Sequence, residues 1–224
     1  TWSLAETWNL TLGLEKPDIL IDDATPDSVA TGSPDAELRT RIPDLGFNLR
    51  WEEDWGHAQF SFLGREIGAD DPVLGEDHIA GWGINLSTGI ALTQRDSIQT
   101  LVVYGQGVGG MGNDASFVNS DAVFKPNGEL EALEYVSALI GFTHRWSEQW
   151  RSTASYGYVD LENIGTQTDK AYDKTHYASA NLVYQLRKRL SIGVEVLYGH
   201  REEKSGASGD VVRVQLGLLY SLFD

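Results

Sequence analysis

The sequence predicts an all-β chain, a transmembrane antiparallel meander β-barrel, on three observations. Apolar and polar residues alternate with period two almost to the last residue, the connections between these runs alternate in length, and aromatic residues gather at the short connections. Period-two alternation places apolar side chains on one face of a strand and polar ones on the other. Mean hydropathy is -0.27, and no stretch approaches the roughly 18 to 20 unbroken apolar residues of a spanning helix. A barrel escapes that criterion, because each strand mixes a lipid face with a wet one.

The strands are read in chain order. Thr1 to Leu4 is the tail of a descending strand, Ala5 to Thr7 a turn, and Trp8 the start of an ascending strand. Phe47, Leu49 and Trp51 then oppose Gly46, Asn48 and Arg50. Trp82, Ile84, Leu86 and Ile90 oppose Gly83, Asn85, Ser87 and Gly89, and Ile98, Thr100, Val102 and Tyr104 oppose Gln99, Leu101 and Gly105. Ala178, Ala180, Leu182 and Tyr184 alternate with Ser179, Asn181 and Gln185. Leu190 to Tyr198 and Val212 to Leu222 form a hairpin across the Gly- and Ser-rich link Lys204 to Asp210. About ten such runs are expected, each of roughly the nine to eleven residues a tilted strand needs to cross a bilayer.

Short links fall at Glu52 to Gly56, Thr93 to Ser97, Ser147 to Gln149 and Arg187 to Arg189; long ones fall at Lys16 to Glu37, Gly68 to His78, Asn113 to Glu129 and Leu161 to Lys174. Short periplasmic turns with long extracellular loops are the outer-membrane pattern. Trp8, Trp51, Trp55, Trp146, Trp150 and Tyr184 bracket the short turns, where amphipathic rings match the headgroup level. A soluble β-sandwich binding module also alternates, but has no reason for regular loop asymmetry.

Charge and composition exclude some partners. With 33 acidic against 17 basic residues the net charge is -16, which disfavours nucleic acid. Cysteine is absent, so there is neither a disulfide framework nor a thiolate metal site. Thr1 begins mid-pattern with no basic n-region or cleavage site, so residues 1–224 are expected to be a mature single barrel domain that lacks its N-terminal strands.

Candidate sites follow from strand parity. Arg50, Arg65, Arg145, Arg151, Arg201 and Arg213 fall on the polar face, where arginines select anions in pores; the plainer reading is that each braces the wall against a carboxylate such as Glu195 or Glu202. Asp22, Asp23, Asp70 and Asp71 stand on acidic loop stretches and are the candidates for a loop-bound Ca²⁺, although no EF-hand spacing is present and solvated loop charge accounts for them as well. Gly105 to Gly110 matches G-x-G-x-x-G but enters a loop with no helix to follow. It reads as thinning the wall or letting a loop fold into the lumen, not as a cofactor site. The five histidines, at 57, 78, 144, 176 and 200, show no metal-ligand spacing, and no nucleophile motif occurs. No catalytic residue and no cofactor is assigned.

Together RIPDLGFNLRW, WGHAQFSFLGREIG, GWGINLSTGIALTQRD, LVVYGQGVGGMGND, HRWSEQWRSTASYGYV, THYASANLVYQL and GVEVLYGHREEKSGASGDVVRVQLGLLYSLF make the chain resemble the DcaP-like outer-membrane porins over nearly its whole length. That resemblance implies a barrel of about sixteen strands, a homotrimer in lipid and lipopolysaccharide of the bacterial outer membrane, and passive uptake of small anions such as dicarboxylates. A final strand ending in an aromatic is similar to a barrel-assembly signal; here Tyr220 and Leu222 hold the outward register and Phe223 and Asp224 extend past it. An outer-membrane barrel enzyme of phospholipase or protease type is the other membrane reading, but strand parity gathers no Ser, His and carboxylate trio.

Overall fold

The computed structural model describes residues 1–22, 37–71, 75–112, 115–116 and 118–222. Its strands are β1 (Trp2–Ala5), β2 (Trp8–Glu15), β3 (Ile21–Asp22), β4 (Glu37–Leu38), β5 (Asp44–Glu53), β6 (Gly56–Asp71), β7 (Gly75–Ala91), β8 (Asp96–Gln106), β9 (Ala122–Phe124), β10 (Leu130–Ala132), β11 (Glu134–Arg145), β12 (Trp150–Leu161), β13 (Tyr172–Arg187), β14 (Leu190–Glu203) and β15 (Ser208–Tyr220). One antiparallel sheet runs β1-β2-β5-β6-β7-β8-β11-β12-β13-β14-β15, and β4 pairs with the far end of β6. Glu37 and Leu38 meet Asp70 and Ala69, so β4 continues the position of β5 beyond a break at Pro43, which has no N–H for the ladder. The sheet is open: β1 and β15 are its edges.

The meander has eleven positions against the about ten that the alternation predicts; the addition is the short β1, visible in sequence only as a tail. The expected long link Gly68 to His78 is mostly strand, with Gly68 opposite His78 and Asp70 opposite Glu76. Polar, Gly-containing composition suggested a loop there. The hairpin persists because its inner face is covered: Ile67 and Ala69 are fully buried. Hence β6 and β7 reach 16 and 17 residues, beyond the nine to eleven that a bilayer requires. The long connections after β2, β8 and β12 leave one rim, whereas every turn on the other rim is short; the links after β6 and β14 are short although they lie on the long-loop rim.

Register separates two faces. Across the wall Leu49, Phe60, Leu86, Val102 and Ala138 share one row, and Ala180, Val196 and Val214 share another. This outer face bears exposed apolar side chains, Leu216 among them at 76%. Trp82 and Ile84, with Val194 and Leu218, lie on the same face by register, as their parity predicts. Aromatic contacts gather at the short-turn rim. Trp8 stacks on Trp51 with centroids 5.7 Å apart, Trp51 meets Trp55 edge-on at 5.1 Å, and Trp150 lies 4.6 Å from Tyr184.

The packed core lies between the inner face and segments that fold back against it. The strands β3, β9 and β10 form a second small sheet, with β3 parallel to β9. Its Ile21, Ala122, Phe124 and Leu130 pack with Ile19 on Ile67 and Ala69 of β6, while Val108, Ala115, Val123 and Leu133 pack on Tyr135, Val159, Leu161 and Tyr172. A sheet in water and lipid has no apolar core of its own. Burial of these side chains, at roughly 25 cal/mol per Å² of apolar area, is what holds the inserted segment in place.

Candidate functional site

All six arginines singled out by parity occupy the inner face, since their register partners belong to the polar rows: Arg50 meets Asn9 and Gln59, Arg145 meets Arg151, Arg201 meets Thr175, and Arg213 meets Leu197. Their surroundings differ. Arg145, Arg151, Arg201 and Arg213 are exposed, and none has a carboxylate within ion-pair distance among the described residues. The guanidinium of Arg201 lies 5.4 Å from the centre of the Tyr172 ring, a cation–π contact. The carboxylates offered as braces are engaged elsewhere, Glu195 accepting from Gln215 at 2.5 Å and Glu202 lying 3.4 Å from Lys174. Arg50 donates to Glu52 at 3.0 Å and to Gln59 at 3.4 Å and remains part-exposed.

Arg65 departs from the expected ladder. Its side chain is 0% exposed, enclosed between Asp44 of β5 at 3.2 Å and Asp121 of the inserted segment at 3.4 Å. It also donates to the carbonyls of Asp18, at 2.5 Å, and Gly107, at 3.3 Å. Parity put it correctly on the inner face, but the folded-in segment covers it, so its charge clasps that segment to the wall. Asp121 completes the clasp by accepting from the backbone N–H groups of Leu20, at 2.9 Å, and Gly110, at 2.8 Å. Burial pushes the Asp121 carboxyl up to about 6, against the opposing pull of the Arg65 cation and those two N–H donors. Asp44 and Asp121 escaped sequence reasoning because they come from distant stretches, and a lone aspartate at or just before the start of a strand carries no signal.

The glycine-rich run after β8 allows the close approach. Gly107 has φ +71°, and a Cβ there would stand 2.3 Å from Cδ1 of Ile67; one at Gly112 would stand 2.0 Å from the Tyr135 hydroxyl oxygen. This agrees with the reading of the run as a loop folded into the lumen. Under the segment the inner wall borders a half-open cavity of about 860 Å³.

The aspartates considered for a loop cation are dispersed in their bonding. Asp22 is buried in β3 and accepts from Gln167 at 3.1 Å, and Asp70 lies 3.3 Å from Arg39. Asp71 ends β6, and Asp23 lies outside the described residues. Among the described residues no group of three His, Cys, Asp or Glu side chains is placed to hold a metal ion.

A one-layer antiparallel meander with an apolar outer face, a polar inner face, an aromatic rim and an inward-folded segment defines an outer-membrane β-barrel wall. Residues 37–222 match the model of the DcaP outer membrane protein family, and the chain belongs to that family and to the bacterial outer membrane. Among solved structures it is similar to the outer membrane channel DcaP of Acinetobacter baumannii, with TM-score 0.81 and 22% identity over 98% of this chain and 60% of that one. It is also similar to an anion-selective porin from Comamonas acidovorans, with TM-score 0.59 and 11% identity over 97% of this chain and 57% of that one. The CymD monoaromatic hydrocarbon channel follows with TM-score 0.50 and 10% identity, over 100% of this chain and 71% of that one. The chain thus spans about three fifths of the first two structures. No curated protein matches it.

Proposed function

We propose that this chain is part of the wall of a passive diffusion porin for small anionic solutes, dicarboxylates included, in a barrel of about sixteen strands. The observation that carries the reading is the set Arg145, Arg151, Arg201 and Arg213, exposed on the inner face and free of carboxylate partners among the described residues. A guanidinium stays charged at any working pH and offers a planar donor fork that suits carboxylates. A charge facing lipid costs about 2 to 4 kcal/mol at midplane and far less near the interfaces, so it is Arg213, in the middle of β15, that argues most strongly that this face is wet. The open edges β1 and β15 need partners, because unpaired strand edges are not stable in hydrocarbon. Several channels sharing this fold, one of them described as anion-selective, are consistent with the reading.

Replacing Arg201 and Arg213 together by glutamine tests it. In planar bilayers under a salt gradient the double variant is expected to shift the reversal potential toward cations and to slow dicarboxylate uptake while still folding. Unchanged ion selectivity would make these arginines structural only.

A further inference from the structure

Three arginines stand abreast on adjacent strands at the short-turn end of the inner face. Arg145 of β11 is the register partner of Arg151 of β12, and its backbone N–H donates at 2.8 Å to the carbonyl of Arg95, in the turn before β8. The next pair along the hairpin, Trp146 and Trp150, makes the ladder hydrogen bond at 3.0 Å. Arg145 and Arg151 are therefore a non-hydrogen-bonded pair, the kind whose Cα atoms approach to about 4.5 Å. All three arginines are exposed, and among the described residues none of their side chains forms an ion pair or hydrogen bond. Asp96 does not reach this row, because it is turned to the outer face, where it lies 2.6 Å from His144 and accepts from the Thr93 hydroxyl at 2.7 Å. Past Arg151 the row continues through Val183, Gly193 and Gly217, none of them acidic.

Like charges directly opposite one another destabilise a strand pair, and no neighbouring carboxylate offsets the repulsion here. The spacing of the three groups is set by the ladder of adjacent strands, so it does not depend on how the barrel closes. A carboxylate presents two oxygens in one plane, which a single guanidinium fork fills. A sulfate or phosphate dianion presents oxygens all round one centre and carries about two negative charges. It can accept a fork from each member of the close pair and still offer an oxygen to Arg95. We propose that Arg95, Arg145 and Arg151 form a binding site for tetrahedral oxyanions, sulfate and phosphate, at the short-turn mouth of the channel. Because all three groups are exposed, the bound ion keeps part of its hydration and remains able to leave.

This inference rests on the porin reading for calling that rim a channel mouth, and the experiment separates the two. The full-length protein in detergent is titrated calorimetrically at pH 7.5, in chloride buffer, with sulfate, phosphate and succinate, which carry about two charges each. Sulfate and phosphate are expected to bind about tenfold more tightly than succinate, equivalent to roughly 1.4 kcal/mol. Arg145→Gln with Arg151→Gln should bring that ratio below about threefold. Arg187→Gln, which removes a charge from the same rim outside the row, should preserve it. Arg145→Lys with Arg151→Lys keeps both charges without the fork and should hold the three dianions alike. Sulfate and succinate within about twofold of each other in the unmodified protein, or a preference untouched by the glutamine pair, would overturn the site with the channel reading intact. A preference kept by the lysine pair would overturn the guanidinium clamp. Planar bilayers read the other half independently of binding: absence of any conductance would overturn the porin reading, and with it the placing of this site at a channel mouth.

Discussion

Arg65, Asp44 and Asp121 place one cation between two carboxylates with essentially no water access, and that imbalance decides how the clasp behaves. Removing the cation alone leaves two buried negative charges, so Arg65→Met is expected to cost about 3 to 5 kcal/mol in docking of the inserted segment. Limited proteolysis would read this as new cutting within residues 107–133 with the wall strands unaffected. The carboxyl of Asp121, raised to about 6, gives a pH dependence whose sign is fixed. The docked segment holds a proton that the undocked chain releases between about pH 4 and pH 6. The added stability is therefore complete below the ordinary aspartate value and is lost as pH rises through about 6. Amide exchange at Leu20 and Gly110, corrected for intrinsic rate, should be faster at pH 7.5 than at pH 5, and Asp121→Asn should abolish that difference. None of this was legible in the sequence. Parity gave the facing of Arg65, but what lies on top of a residue is a long-range property that period-two patterning does not carry.

At the scale of the strand the sequence was most informative, because a one-layer wall obliges every residue to face lipid or lumen. Val196 and Leu197 are adjacent and face opposite ways, Val196 toward Ala180 and Val214 in the outer row and Leu197 toward Ser179 and Arg213 in the inner one. Val196→Arg is expected to destabilise the barrel by about 2 to 4 kcal/mol, and Leu197→Arg to be nearly neutral. Urea titration of the protein folded into lipid vesicles measures both, and equal costs would show that the faces are not lipid and water. Where strand reading fell short, at Gly68 to His78, a signal was present but ambiguous. Ile67 and Ala69 put apolar residues on the inner parity, as do Val103 and Val159, and a wet lumen gives no reason for them. Apolar residues on both faces near one end of neighbouring strands mark where another part of the chain lies against the wall.

For the whole molecule, 33 acidic and 17 basic residues oppose the local excess of arginine on the inner face. Much of the acidic charge stands in the long connections. At 0.15 M salt its influence decays over about 8 Å, and at 0.01 M over about 30 Å. Anion preference, read from reversal potentials at a fixed gradient ratio, should therefore weaken as salt is lowered from 0.15 M to 0.01 M; no change over that range would show that the loop charge is irrelevant to permeation. Fold, membrane and wall polarity could be argued from residue pattern, whereas the small sheet β3-β9-β10 could not. Its strands are two or three residues long, below what periodicity can detect. That small sheet also implies an order of events in time. The meander from β5 to β15 joins each strand to its neighbour in the chain, apart from the β8 to β11 step that spans the insertion, and these pairings close short loops. Seating the insertion requires Leu20 to reach Asp121 across 101 positions and Gln167 to reach Asp22 across 145. Closure entropy grows with that separation, and the wall residues that receive the insertion do not exist as a surface until the strands have paired. The wall therefore assembles first and the insertion docks last. Pulse-labelled exchange during refolding should find the amides of β12 to β14 protected before those of Leu20, Gly110 and Leu133, so that a newly assembled barrel passes through a stage at which its lumen is wider than in its finished form.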